Sequence, residues 1–325
     1  MSLTWEKSTT YDLGLDLDFL NNRLSFSGDY YRRYTTDMYT PSISLPSVYG
    51  TTSPKGNNAE LRTTGWELSF TWRDSFKLGG KPFDYSIKAM VWDNRTVVTK
   101  YENATRSLGT LKGYIQNGGS PSDFYEGMEL GEMWGYTVAG LFRDQADIDS
   151  SATHDFTQAS DKVTRPGQVK IADLDGNGFI DPGNFAVDDH GDLRIIGNQS
   201  PRYRYGVNLS ARWNGIGLSV FLQGVGARDW YPGSDAGMFW GKYGRPFFAL
   251  IPSIHNYTDD MYSAERNNWD TAYWPRMTTY QSNSSYSWTK LLEIPNTRYK
   301  QTAAYLRVKN IQVDYTFPKA LCQKI

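Results

Sequence analysis

The sequence is poor in cysteine and has no long apolar run. Among its 325 residues, Cys322 is the only cysteine, which excludes an internal disulfide framework and a metal site built from several thiolates. No segment approaches the roughly 20 consecutive apolar residues that a membrane-spanning helix needs, so a helical membrane protein is excluded. The formal net charge is -1, so the chain also lacks the basic excess that is typical of nucleic-acid binding.

The residue patterns of common enzyme classes are missing as well. The three histidines, His154, His190 and His255, lie in predicted loops, and none has the spacing of a metal-binding pair. The chain has no G-x-S-x-G segment, no P-loop and no glycine-rich Rossmann turn. Adjacent carboxylates such as Asp188 and Asp189 occur, but side chains next to each other in a chain do not face each other across a substrate bond. The sequence therefore predicts a protein that is not an enzyme, with a two-carboxylate glycosidase as a minor alternative.

Aromatic residues are unusually abundant in this sequence. They make up 15% of the chain, with 23 Tyr and 11 Trp, although the mean hydropathy is only -0.58. This combination is typical of a transmembrane β-barrel, because only alternate residues face lipid and because Trp and Tyr gather at the two interfaces. A β-rich secreted domain, such as a lectin-like sandwich, has a similar composition, so composition alone leaves both alternatives open.

Alternation with a period of two predicts about seven long strands. In the first strand, Tyr11, Leu13, Leu15, Leu17 and Phe19 share one face, and Asp12, Asp16 and Asp18 share the other. Similar runs follow in pairs, and the pairs are joined by short turns at 20–23, Gly79-Gly80 and Asn214-Gly215. Each pair predicts an antiparallel hairpin.

The connections between these strands differ greatly in length. Three are short turns, whereas the others span roughly 35–61, 93–200 and 229–302. Short periplasmic turns at one end and long extracellular loops at the other are the topology of outer-membrane barrels. Charges along one strand face suit a wet lumen better than the dry core of a sandwich. The predicted fold class is therefore all-β, an antiparallel transmembrane β-barrel segment over residues 1–325.

Five segments carry a family resemblance, namely residues 3–16, 58–68, 126–142, 195–224 and 305–318. The most characteristic is Ile195-Ile196-Gly197-Asn198, which follows an acidic loop and precedes an aromatic-rich hairpin. In this order, the segments resemble the SusC/RagA-type TonB-dependent outer-membrane receptors of Bacteroidetes-like bacteria. One departure is Thr63-Thr64-Gly65, where that family usually has Asn-Lys-Gly.

The resemblance implies an outer-membrane barrel of about 22 strands whose lumen holds a plug. It also implies energy supply through TonB and a SusD-like surface lipoprotein that captures oligosaccharides or peptides. On this interpretation the chain is part of a transporter that imports glycans or oligopeptides, with the plug, the TonB-contacting segment and the signal peptide outside it. The alternative is a secreted or surface β-domain that binds carbohydrate or mediates adhesion without transport.

An acidic loop predicts a calcium site. Its candidate ligands have the spacing of an EF-hand loop and are Asp173, Asp175, Asn177, Phe179 and Asp181, with Phe179 contributing its backbone carbonyl. The twelfth position, which normally holds a bidentate Glu, is Asn184. We expect bound Ca²⁺ to order a long loop rather than to take part in catalysis. The alternative is an acidic surface loop made of Asx turns.

The last predicted loop is rich in tryptophan. Because aromatic faces stack on sugar rings, Trp240, Trp269 and Trp274 are the candidates for contact with a ligand. The alternative is that these residues form the small core that a long loop needs.

Overall fold

The computed structural model describes residues 3–41, 55–109, 113–114, 118–154, 163–233, 236–240, 260–276 and 294–318. The chain divides into two compact units. Unit 1 comprises Met1–Tyr101, Ser200–Arg228 and Thr302–Ile325, and unit 2 comprises Glu102–Gln199 and Asp229–Gln301.

The described residues are dominated by strands. In chain order they are β1 (Lys7–Phe19), β2 (Leu24–Pro41), β3 (Lys55–Leu78), β4 (Lys81–Tyr101), β5 (Glu132–Gly135), β6 (Val138–Leu141), β7 (Val169–Ile171), β8 (Arg194–Asn198), β9 (Arg202–Trp213), β10 (Ile216–Ala227), β11 (Asp229–Trp230), β12 (Gln301–Thr302) and β13 (Tyr305–Tyr315). Two short helices, α1 (Gln145–Asp149) and α2 (Gly237–Trp240), lie in unit 2. No helix in these ranges is long and apolar enough to cross a membrane.

Unit 1 is a seven-stranded sheet in the order β1-β2-β3-β4-β9-β10-β13. Every neighbouring pair in this sheet is antiparallel, which confirms the predicted fold class. The sheet is open, because β1 and β13 each have a neighbour on one side only.

The three predicted turns join β1 to β2, β3 to β4, and β9 to β10. Gly79 and Gly80 have φ values of 58° and 79°, and Asn214 and Gly215 have values of 48° and 85°. A two-residue hairpin turn with both residues in the left-handed region is favoured, because its twist matches the twist of the strands. Glycine and asparagine adopt this region most readily, which is why the sequence revealed these turns.

The strand register gives the sheet one apolar face and one polar face. The outer face is defined by rows such as Leu17, Phe26, Phe70, Ala89, Val207, Leu222 and Val308. The inner face is defined by rows such as Asp18, Ser25, Thr71, Lys88, Asn208, Phe221 and Asn310. Leu13 is 75% exposed and Val313 is 71% exposed, so the outer face is a broad apolar surface that no other described residues of unit 1 cover.

Several strands extend further than the alternation predicted. β2 continues to Pro41, β3 begins at Lys55 and β4 continues to Tyr101, so these strands reach into the predicted loops 35–61 and 93–200. Their extensions are rich in Thr, Asn, Tyr and charged residues. Beyond the apolar belt both faces carry polar residues, so the alternation of apolar and polar residues ends there. The hydrogen bonds between the strands nevertheless continue.

Unit 2 is formed by most of the two longest predicted loops, 93–200 and 229–302, whereas the predicted loop 35–61 belongs to unit 1. Unit 2 contains the short pairs β5 with β8 and β6 with β7. It also has its own core, whose members include Trp134, Phe142, Ile180, Leu193, Trp240, Trp274 and Tyr299. These two long connections therefore fold as a compact body.

Candidate functional site

The acidic loop between β7 and β8 is a series of Asx turns. Asp173 accepts hydrogen bonds from the N–H groups of Gly176 and Gly178, at 2.7 and 3.0 Å. Both glycines have a positive φ, 76° and 84°. Three further side chains accept a hydrogen bond from the N–H group two residues ahead, namely Asp175 at 3.0 Å, Asn177 at 2.7 Å and Asp181 at 2.6 Å.

The structure brings two of the five predicted calcium ligands together with a residue that the sequence analysis missed. Carboxylate oxygens of Asp173, Asp175 and Asp192 all lie within 4.8 Å of one another. Asp192 is fully buried and accepts hydrogen bonds from the N–H groups of Leu174 at 2.6 Å and Asp181 at 3.1 Å. Asp192 lies outside the twelve residues of the loop motif, so the spacing of ligands in the sequence did not predict it.

Two further predicted ligands, Asp181 and Asn177, make hydrogen bonds around this group of three carboxylates. One carboxylate oxygen of Asp181 accepts from the N–H group of Gly183 at 2.6 Å. The side-chain amide of Asn177 donates to Asp175 at 3.1 Å. The twelfth-position residue, Asn184, donates instead to Asp189. The described geometry therefore differs from the EF-hand assignment at the distal end of the loop.

The group of Asp173, Asp175 and Asp192 carries excess negative charge, and Asp192 is buried away from water. Burial raises the pKa of Asp192 above its ordinary value. Desolvation also acts to raise the pKa of Asp173, but hydrogen bonds from the N–H groups of Gly178 and Gly176 outweigh it and lower that pKa. Carboxylate oxygens at this separation repel one another, and a hard divalent cation coordinated by oxygen would offset the repulsion.

The aromatic residues of unit 2 form a packed cluster. Trp274 is 0% exposed and stacks on Tyr299, with ring centroids 5.4 Å apart and planes 16° from parallel. Trp240 is 2% exposed and meets Trp274 edge-on at 6.2 Å. Both tryptophans thus belong to the core, as the alternative interpretation expected, and neither offers a ring face to a ligand in this structure. Trp269 is half-buried, and its role in ligand contact stays a prediction.

The inner face of the sheet carries many exposed polar groups. Asp12, Asp16 and Asp18 of β1 and Glu67 of β3 are exposed. At the turn end, Arg212 of β9 reaches across Gly217 of β10 and donates to Asp314 of β13 at 2.8 Å. A Cβ atom on Gly217 would lie 2.3 Å from that carboxylate, so the absence of a side chain lets the ion pair cross a strand.

Comparison with known proteins places this architecture in a family. A family model described as "TonB dependent receptor-like, beta-barrel" matches residues 1–177. The match covers more than half of the chain, so the chain belongs to this family, whose members are β-barrels of the outer membrane. Both the predicted family and the predicted location are confirmed.

Similar proteins agree with this assignment. TonB-dependent receptor P3 of Formosa agariphila is 26% identical over 99% of this chain, and TonB-dependent receptor SusC of Bacteroides thetaiotaomicron is 29% identical over 56% of it. The chain spans only 28% and 16% of the lengths of these two relatives. Both relatives are receptors rather than enzymes.

A solved structure shows the same fold. The RagAB peptide transporter matches 98% of this chain and 30% of the transporter chain, with a TM-score of 0.64 and 18% sequence identity. The RagAB peptide importer in the "open-open" state gives a TM-score of 0.62 at 19% identity. The seven-stranded sheet therefore corresponds to part of a larger transporter fold.

Proposed function

We propose that this chain forms part of the wall of an outer-membrane transporter that imports glycans or oligopeptides with energy supplied through TonB. The two-faced sheet is the observation that carries the proposal. An apolar outer face suits the lipid of the outer membrane, and a polar inner face suits a wetted lumen. On this proposal, the two longest extracellular connections form unit 2.

The inner face and the similar proteins support glycans or oligopeptides as the substrate class. Glycans and peptides both carry many hydrogen-bonding groups, and the inner face offers hydroxyl, amide and charged side chains along every strand. RagAB is a peptide transporter, and SusC is a TonB-dependent receptor. We include in the proposal a SusD-like surface lipoprotein as the partner that captures the substrate before it enters the lumen.

An uptake experiment tests this function. The full reading frame that contains these residues is deleted from its host, and uptake of labelled oligosaccharides and labelled oligopeptides is compared with the parent strain. We expect one substrate class to be lost, and the same loss when TonB is inactivated. The partner is tested by pulling down the receptor and identifying a co-purifying lipoprotein. Surface binding of a glycan that persists without any uptake would instead favour the alternative of a binding or adhesion domain.

We also propose that the group of Asp173, Asp175 and Asp192 binds Ca²⁺ and orders the acidic loop. Asp192 supports this site because its buried carboxylate lies close to the two loop carboxylates. Asn184, at the twelfth position of the loop motif, instead donates a hydrogen bond to Asp189. A cation bound only by the folded state stabilises it by about 2.7 kcal/mol at a concentration 100 times its dissociation constant.

Thermal unfolding after dialysis against a chelator, with and without excess calcium, measures that increment. We expect calcium to raise the melting temperature of the parent and of Asp188→Asn, a control that removes one charge from the same acidic run. Asp192→Asn should remove most of the calcium-dependent increment, whatever its effect on baseline stability. The site does not exist if the parent has the same melting temperature in both conditions and retains no calcium.

A further inference from the structure

Three arginines form a cluster on the outer face, at the long-loop end of the apolar belt. Arg32 of β2 and Arg95 of β4 lie at the same level, because both pair with Thr64 of the intervening strand β3. Arg62 lies two residues further along β3 from Thr64 and therefore points to the same face. All three side chains are exposed. We call this set the arginine cluster.

The spacing allows the three guanidinium groups to act together. Neighbouring strands lie about 4.8 Å apart and a step of two residues covers about 6.7 Å, so Arg62 has its Cβ atom roughly 8 Å from those of Arg32 and Arg95. Arginine side chains are long enough to close such a gap. Their planar donors match phosphate geometry in a bidentate manner.

Carboxylates of the same strands do not neutralise Arg32 and Arg62. The nearby acidic residues have other partners: Asp37 pairs with Lys7 at 3.2 Å, Glu60 pairs with Lys100 at 3.6 Å, and Asp93 pairs with Arg202. Arg32 donates to the hydroxyl of Tyr30 at 3.3 Å, which leaves its charge uncompensated. Within the described ranges, neither Arg32 nor Arg62 forms an ion pair. Arg32 and Arg62 therefore carry a local excess of positive charge.

The distance of the cluster from the turns matches the thickness of a membrane. Aromatic side chains gather on the outer face near the turns, where Phe76 and Phe83 pack 5.0 Å apart. From Phe83 to Arg95 along β4 is about 40 Å, which at a barrel tilt of about 40° corresponds to roughly 30 Å across the membrane. This is the thickness of the hydrocarbon core of a bilayer. If the aromatic group marks the periplasmic interface, the arginine cluster lies at the headgroups of the outer leaflet.

We propose that the arginine cluster binds the phosphate-bearing headgroup of an outer-leaflet lipid. The acyl chains of this lipid lie on the apolar wall below, which includes the exposed Leu13 and Phe70. Tyr11 pairs with Arg32 and Tyr34 pairs with Arg62, so both tyrosines lie at the level of the cluster. Their rings meet edge-on at 6.3 Å and match the amphipathic character of that level. The bound lipid would hold this side of the barrel at a fixed depth in the outer leaflet. This lipid site is independent of which substrate the barrel imports.

Binding of lipid A, a phosphorylated glucosamine lipid, tests the site. The receptor encoded by the full reading frame is purified in a neutral detergent and titrated with fluorescent lipid A, with enzymatically dephosphorylated lipid A and with inorganic phosphate. The test variant combines Arg32→Gln, Arg62→Gln and Arg95→Gln. A matched control removes three cations from the inner face of the same strands by combining Arg33→Gln, Arg73→Gln and Lys88→Gln.

Each basic residue next to an anionic lipid surface contributes about a fivefold gain in binding, so the test variant should bind lipid A about 100-fold more weakly than the parent. The control should stay within about threefold of the parent, since single solvated charges away from the lipid contribute little. Dephosphorylated lipid A should bind the parent and the test variant equally. If the triple variant does not fold, Arg62→Gln alone should still weaken binding about fivefold.

Three results would overturn the proposal. Equal affinity of the parent and the test variant would show that the cluster does not contact the lipid. An equal loss in the test and control variants would show that only overall charge matters. Competition by inorganic phosphate at the affinity of lipid A would identify free phosphate, rather than a membrane lipid, as the occupant.

Discussion

An arginine placed at Leu15 should strongly impair assembly of the barrel in a membrane. Leu15 is on the outer face, midway along β1 between Phe19, next to the turn, and Tyr11, at the level of Arg32. It therefore lies near the bilayer midplane, where a lipid-facing arginine costs about 2–4 kcal/mol. The folding equilibrium should fall by roughly 30- to 700-fold for Leu15→Arg.

Two control variants separate the effect of depth and face from the effect of charge. Ser27→Arg adds the same charge on the inner face, beside Asp16 in the register, so its cost should be close to zero. Tyr11→Arg adds it on the outer face at the level of Arg32, where the depth-dependent cost falls to about 0–1 kcal/mol.

The assay is equilibrium folding of the full receptor into lipid vesicles, measured from the denaturant midpoint and from the folded fraction on unheated gels. The predicted order of stability is Ser27→Arg, then Tyr11→Arg, then Leu15→Arg. If Leu15→Arg folds as well as Ser27→Arg, the outer face does not meet lipid and the assignment of the two faces is wrong.

Three further predictions concern residues that hold the fold together. Asp93→Ala removes the partner of Arg202 in an ion pair whose side chains are 5% and 11% exposed, and should cost about 3–5 kcal/mol in denaturant unfolding, with a much smaller added cost when Arg202 is also replaced. Gly135→Ala would place a Cβ atom 2.4 Å from a backbone carbonyl oxygen and should cost about 1–3 kcal/mol by the same measurement. His154 accepts a hydrogen bond from a backbone N–H of β7 at 2.9 Å, and burial lowers its pKa. Because the unfolded state binds the proton first, the stability of unit 2 should fall by about 1.4 kcal/mol per pH unit below roughly pH 6.5, levelling off below the folded-state pKa. Hydrogen exchange of β7 measures this loss, and an equal pH response in His154→Gln would contradict it.

The sequence was most informative where one face of a strand meets a uniform environment. In β1 the alternation of Leu13, Leu15 and Leu17 with aspartates revealed both the strand and its outward face, because lipid selects apolar residues at every second position. The turns at Gly79-Gly80 and Asn214-Gly215 were equally clear, because left-handed turns restrict the residue types.

Features that depend on contacts between distant residues were not predictable in this way. Asp192 joins Asp173 and Asp175 because the chain folds back after the loop, and no local spacing encodes that return. Unit 2 has short strands and irregular segments, so it shows no sustained period, and the burial of Trp240 and Trp274 became evident only from their packing.

The bulge in β13 offers the most direct test of the central claim, which is that the sheet separates lipid from a wet lumen. Val308 pairs with Leu222, but Asn310 pairs with the next residue, Phe221, so Lys309 is extra and the alternation shifts phase there. This strand also lies beyond the residues that the family model covers.

Single cysteines placed from 306 to 314, in a receptor in which Cys322 is replaced by serine, can be labelled in outer-membrane vesicles with a lipid-soluble or a water-soluble reagent. We predict that the lipid-soluble reagent labels 306, 308, 311 and 313, and that the water-soluble reagent labels 310, 312 and 314. Uniform labelling by the water-soluble reagent, or an unbroken alternation through 310 and 312, would contradict the two-faced wall described by this structure.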